Sequence, residues 1–407
     1  MLKKLSKILG PGFITGASDD DPSGIATYSQ TGAQFGYGQL WTALFSIPFM
    51  TVIQEMCGRI GMVTGKGLAG VIKSNYSRAI LYFTVTILLV ANTVNIGADL
   101  GAMASTLQLL VDIPFVFLLL GITAFTLILE IFVSYATYAR FLKYLALSLL
   151  TYIAAAFIIK VDWGTVALAT FIPTISFSQG YILNIVAVLG TSISPYLFFW
   201  QASEEVEEEM GKGMPKITSR DLSEMRLDTG IGMFFSQLVM FFIIIVVAAT
   251  LNANGITNIE TAAQAAEALR PIAGDKAFLL FTAGIIGTGL LAVPILAGSA
   301  SYAVSEAFNW KAGLSRKLRQ AHGFYGVITI ATIIGLLINF TPIPPFKMLY
   351  YTAVLNGICA PPLILMILLI SNNKKVMGER TNSKTSNILG VLIMLVMALA
   401  SIGLFVL

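Results

Sequence analysis

Apolar stretches of about twenty residues, separated by short charged or Gly/Pro-bearing segments, run the whole length of this chain. Twenty apolar residues are what an α-helix needs to cross a bilayer, and within lipid only helices and closed barrels satisfy their own backbone. The stretches lie near 10–36, 39–63, 79–110, 113–138, 142–161, 179–203, 229–252, 277–308, 323–340, 347–371 and 386–407, so eleven transmembrane helices are expected. The fold class implied is an all-α integral membrane protein in the lipid bilayer, with no soluble domain. Of 407 residues 56% are apolar and only 11% charged, against about a quarter charged in soluble proteins, which excludes a soluble enzyme. The net charge of +4 is small and its basic residues are scattered between apolar runs, which argues against nucleic acid as a partner. Cys57 and Cys359 lie in apolar runs and His322 is the single histidine, so neither a disulfide framework nor a zinc site can be assembled. No resident cofactor and no obligate protein partner are implied.

The basic start Lys3, Lys4, Lys7 leads into Gly10-Pro11-Gly12 and then three aspartates, without the continuous apolar core of a cleavable signal. With the N-terminus cytoplasmic, 21 of the 25 lysines and arginines fall on the cytoplasmic side; only Lys160, Arg270, Lys276 and Lys347 fall opposite. That asymmetry supports an N-in, C-out topology, and a multi-pass protein of a bacterial inner membrane is expected. The polar segments 204–228 and 253–276 read as connecting loops, the second with an amphipathic helix around 261–269.

Two spans are interrupted. The first carries Asp19-Asp20-Asp21-Pro22-Ser23-Gly24 inside apolar sequence. Pro22 removes a backbone donor and clashes one turn back, and each ionised carboxylate in the bilayer costs at least ~2.5–3.5 kcal/mol. A helix break buried in protein is expected here; the alternative is that the aspartates lie at the membrane surface and cap a helix starting at Pro22. The sixth span carries Gly190-Thr191-Ser192-Ile193-Ser194-Pro195, which alone would read as a proline kink. Interruptions in spans 1 and 6 occupy matching positions of two five-helix halves, the mark of an inverted-repeat transporter with its site at mid-membrane. One domain, 1–407, is expected, with repeats at 1–162 and 179–371 and an additional helix at 386–407.

The donors at these breaks are hard oxygens: the Asp21 carboxylate, backbone carbonyls near Ser18, and oxygens of Thr191 and Ser194. With no Cys, Met or His read as nearby, such a set suits Mg²⁺, Ca²⁺ or Mn²⁺, although unwound carbonyls also hold sodium.

At Gly10-Pro-Gly-Phe, Asp21-Pro22, Ala26-Thr27 and Gly32-Ala-Gln the chain resembles the Nramp family of divalent metal transporters, whose fold is the LeuT-type 5+5 inverted repeat with helices 1 and 6 broken. The resemblance implies that Asp21 binds the metal. Typical members have Asp-Pro-Gly-Asn at the first break and Met-Pro-His at the sixth; here the Asn position is Gly24, the Met position Ser194 and the His position Tyr196. Loss of the thioether removes a soft ligand, and smaller residues leave room for the waters that Mg²⁺ retains, so the chain looks closest to the Nramp-related magnesium transporters. Of the proton-linked residues of typical members, Asp99 is kept, Ala102 replaces a glutamate, and 323–340 has no arginine.

The metal-site candidates are thus Asp21, Ser194, Ser18, Thr191, Gly24 and Asn356, the last facing the site if helix 10 unwinds along Leu355-Asn-Gly-Ile-Cys-Ala-Pro361. Glu130 and Glu306 read as structural hydrogen-bonding acids, and the run Glu204 to Glu209 as a solvated helix end. The function expected is alternating-access transport of Mg²⁺, and of Mn²⁺, without proton coupling. The alternatives are a proton-coupled Mn²⁺/Fe²⁺ importer and a sodium-coupled carrier of a small organic solute. A membrane enzyme lacks the nucleophile and base it would need.

Overall fold

The computed structural model describes residues 10–133, 150–211, 213 and 217–406, which form helices and no strand. The first half comprises α1 (Pro11–Asp19), α2 (Pro22–Phe35), α3 (Trp41–Thr64), α4 (Leu68–Asn75), α5 (Arg78–Leu107), α6 (Phe115–Phe132), α7 (Leu150–Ile158) and α8 (Trp163–Phe171). The second comprises α9 (Gln179–Ser192), α10 (Pro195–Gly211), α11 (Ser219–Thr250), α12 (Ala262–Glu267), α13 (Ala277–Phe308), α14 (His322–Ile338), α15 (Pro345–Asn372) and α16 (Lys384–Val406). Seven stretches among the described residues are long and apolar enough to cross a membrane: those of α5, α6, α9 with α10, α11, α13, α15 and α16. Expected spans 1 and 6 are both in two pieces, as the prolines demand. The helix expected near 261–269 is α12, closed by a reciprocal capping box between Thr261 and Gln264. Lys3, Lys4, Lys7, Arg140, Lys143, Lys212 and Lys216 lie outside the described residues, as do 142–149 of the expected fifth span.

Polar contacts sort the loops into two ends. At one end Arg59 pairs with Glu55 at 2.9 Å, Arg226 reaches the same carboxylate at 2.8 Å, Arg380 bonds Ser219, and Lys73 donates to Ala307 O. These residues come from four loops that the charge asymmetry assigns to one side. At the other end Gln30 meets Thr257 O and Ile259 N, and Lys347 lies 3.7 Å from Glu260.

Three expectations are corrected. The segment 204–228 is not a loop: α10 runs to Gly211 and α11 begins at Ser219, where Thr218 and Asp221 form a capping box. The run Glu204 to Glu209 is not a solvated helix end. Glu205 and Glu209 are buried, and Glu207 accepts from Tyr302 Oη at 2.5 Å, Leu314 N at 2.8 Å and Ser315 N at 3.3 Å, strapping α10 to the segment after α13. Helix 10 does not unwind either: α15 is continuous through Pro361 and Pro362. Pro361 lacks the N–H that would bond Gly357 O one turn back, and Ser401 Oγ of α16 donates to that carbonyl at 3.3 Å. Glu306 is structural as expected: it accepts from Gly67 N and Gly70 N at the start of α4. Glu130 is buried without a hydrogen-bond partner among the described residues.

One row on α11 positions the first half-helix. Asp228 accepts from Gly10 N, Gly12 N and Phe13 N at 2.9, 2.8 and 3.2 Å, closing the free N–H groups at the start of α1. Four residues on, Gly232 meets Gly16 backbone to backbone: a Cβ on Gly16 would stand 2.2 Å from Gly232 C. Four further, Ser236 Oγ donates to Asp19 Oδ2 at 2.6 Å at the end of α1. Gly16→Ala should therefore force the helices apart and cost about 1–3 kcal/mol. Gly326→Ala, where a Cβ meets nothing within 4 Å, should be neutral or slightly stabilising. Thermal unfolding of the two variants in detergent, each compared with the parent, checks this.

Candidate metal centre

The first break is a single joint. α1 ends at Asp19, Asp20 leaves helical geometry at φ −83°, ψ 53°, and Asp21 is extended at φ −67°, ψ 172° before Pro22 opens α2. Asp21 caps α2: its Oδ1 accepts from Gly24 N at 2.7 Å and from Ser23 Oγ at 2.6 Å. The capping half of the alternative reading holds, but its surface half does not, since Asp21 is 1% exposed. The second break falls at Ile193-Ser194, between the end of α9 and Pro195 at the start of α10.

The two breaks cross. Tyr196 Oη, just past the second, donates to Ser18 O, just before the first, at 2.9 Å. Thr191 Oγ1, just before the second, would stand 3.2 Å from a Cβ on Gly24, just past the first. Each strand end meets its opposite, as two inverted halves require.

Of the residues singled out from sequence, Ser18, Asp21, Gly24 and Thr191 are brought together here. Thr191 Oγ1 is buried without a hydrogen-bond partner, an acceptor left for a ligand. The Ser18 carbonyl already receives Tyr196. Ser194 spends its proton on α9, donating to Gly190 O at 3.0 Å and Thr191 O at 2.6 Å, so only its lone pairs remain to offer. Asn356 is buried on α15, beside Gly357, which lies against Val186 and Gly190 of α9, and its Nδ2 has no partner; no hydrogen bond joins it to Asp21.

A sulfur beside the second break was missed: Ser192 Oγ donates to Met240 Sδ at 3.8 Å, from a helix whose position sequence alone does not reveal. Asn95 was also missed. Its Nδ2 donates to Asp21 Oδ2 at 3.0 Å from α5, and it is fully buried. The available signal was an asparagine in an apolar helix four residues before Asp99. Asp19 and Asp20 share one donor, Ser236 Oγ, at 2.6 and 3.4 Å.

Four carboxyl groups, Asp19, Asp20, Asp21 and Asp99, are thus buried within a short distance of the joint, and no lysine or arginine pairs with them among the described residues. Buried anionic groups without a basic partner are costly unless a cation or proton joins them. No group of three or more His, Cys, Asp or Glu among the described residues converges to hold a metal, so an ion here would be held by one or two carboxylates supplemented by hydroxyl, amide and carbonyl oxygens. Towards the end that holds Lys347, a cavity of about 200 Å³ lined by Ala26, Gln30, Asn258 and Tyr350 opens one turn beyond the joint.

The family model described as natural resistance-associated macrophage protein-like, Nramp, matches residues 12–407. The chain is similar to the divalent metal cation transporter MntH of Caldanaerobacter subterraneus, 28% identical over 96% of this chain and 91% of that protein. It is similar also to that of Yersinia enterocolitica, 27% identical over 97% and 93%. In fold it resembles the Eremococcus coleocola manganese transporter, with a TM-score of 0.78 at 16% identity over 98% of this chain and 86% of that one. It resembles more distantly a nucleobase-cation-symport-1 family transporter, with a TM-score of 0.59 at 13% identity over 98% and 91%. The architecture is that of the LeuT-type inverted repeat. A match along nearly the whole chain, on a multi-pass membrane fold whose two broken helices cross at Asp21, places the protein in the Nramp family.

Proposed function

We propose that the protein carries divalent metal cations across the membrane by alternating access, with Mg²⁺ preferred and Mn²⁺ also accepted, and without stoichiometric proton movement. Divalent metal transport is supported by the relatives' names and by the position of Asp21, a fully buried carboxylate at the crossing of the two breaks. Three donors, from Ser23, Gly24 and Asn95, hold that carboxylate in place. Mg²⁺ preference is supported by the donor set: Asp21, Thr191 and Ser194 offer oxygen only, the hard ligands that Mg²⁺ takes. A second reading, Mn²⁺ first, is favoured by Met240 Sδ beside Ser192 and by the manganese transporter with this fold. The lack of coupling is supported by Ala102, by Tyr196 where typical members have histidine, and by a ninth helix without arginine. Coupling is not needed to drive entry, since a doubly charged ion moving into a negative interior gains about 4.6 kcal/mol per 100 mV.

Asp21→Ala should abolish uptake of Mg²⁺ and Mn²⁺ into proteoliposomes while the protein still elutes as a single species in detergent; uptake at the parent rate would overturn the site. Ser194→Met should shift competition toward Mn²⁺ by several-fold, because it narrows the pocket and adds a thioether. An unchanged Mg²⁺/Mn²⁺ competition curve would mean that Ser194 does not line the path. Lumenal pH, followed with an enclosed dye during uptake, should stay constant; acidification in proportion to metal entry would restore the proton-coupled reading.

A further inference from the structure

On α5 the residues Asn95 and Asp99 lie one helical turn apart, on one face, about 5–6 Å between Cβ atoms. Both are fully buried. Asn95 is oriented by its neighbour: a carboxylate only accepts, so the amide atom that meets Asp21 Oδ2 is the NH₂ group, and Asn95 Oδ1 is turned away from Asp21. Among the described residues Asn95 Oδ1 has no hydrogen-bond partner, and neither do Asp99 Oδ1 and Oδ2. One turn of helix therefore presents three buried acceptor oxygens and no donor. Asp99 stands one turn beyond Asn95, which holds Asp21, and no basic side chain among the described residues pairs with either carboxylate. Buried acceptors of this kind are stabilised by a cation, and an amide oxygen with a carboxylate is a hard-oxygen set.

We propose, resting on the reading that Asp21 binds the transported metal, that Asn95 Oδ1 and the Asp99 carboxylate form a second station for that divalent ion. The station is linked to the first through the Asn95 amide and lies one turn further along α5. Asn95 thereby returns to the path the amide oxygen that Gly24 lacks, from helix 3 in place of helix 1. The direction is set by the chain: α5 runs on to Thr106, whose carbonyl receives Thr282 Oγ1 at 2.9 Å. Phe281, next to Thr282 on α13, stands beside Phe346, at the end where Lys347 and the Gln30 cavity lie.

The two stations are separated by measuring Mn²⁺ binding by electron paramagnetic resonance in detergent, beside uptake in proteoliposomes. Asp21→Ala, or Asp21→Asn should the first variant unfold, is expected to stop uptake yet retain Mn²⁺ binding. That residual binding should vanish when either Asn95→Leu or Asp99→Asn is added. In the otherwise native protein Asn95→Leu should raise the KM for Mg²⁺ uptake about tenfold or more with a smaller change in maximal rate. Adding Gly24→Asn should recover part of the loss, which a merely structural role for Asn95 would not allow. If Asp21→Ala stops uptake and binds no Mn²⁺, the second station does not exist while the first stands. If residual binding survives both additions, the station lies elsewhere; if Asp21→Ala still transports, the reading of Asp21 itself fails.

Discussion

Backbone groups at membrane depth must be satisfied without solvent, and in this protein that requirement is met at one place by making two broken helices complete each other. The joint at Asp20-Asp21 exposes the end of α1 and the start of α2. Asp21 closes the start of α2 with its own side chain, while Tyr196 reaches the Ser18 carbonyl from the opposite repeat. The joint at Ile193-Ser194 is closed by the Ser194 hydroxyl folding back onto Gly190 and Thr191. The first break is not self-sufficient, because the Ser18 carbonyl depends on the other repeat. The neighbouring helices are arranged around that dependence: α11 carries α1, α5 approaches through Asn95, and α15 packs on α9 at Gly190 and Gly357.

Close approach is bought with glycine. A Cβ on Gly190 would stand 2.1 Å from Ala353 O, and one on Gly32 2.7 Å from Ile244 O. Such contacts let backbones meet where lipid supplies no hydrophobic drive for association. They also bury the joint, where Asp21 is 1% exposed, so that its interactions are stronger than at a surface.

Much of this was legible in the chain. Pro22 follows three aspartates and Pro195 a run of small hydroxyl residues, and the matching positions of these interruptions in two halves announced the inverted repeat. The acids at the first break could not face lipid, so a protein-lined site followed. What was misread shares one cause, a partner far away in sequence. Pro361 looked like a second unwinding because the donor that repairs it, Ser401, belongs to the last helix. Glu207 looked solvated because the backbone groups it binds, at Leu314 and Ser315, lie 107 and 108 residues on. Asn95 drew no attention because its partner is Asp21, 74 residues earlier. Met240 could not be placed for the same reason.

The row Asp228, Gly232 and Ser236 holds the beginning, the middle and the end of α1. With nine residues and about 1.5 Å of rise each, α1 is a rod of roughly 14 Å clamped along its whole length. A rod so held cannot bend away gradually. It travels with α11 as one body, pivoting at Asp20, or it releases three backbone bonds, a glycine seam and the Asp19 hydroxyl contact together. Any movement of α1 therefore has to carry α11 with it or break all of these contacts at once.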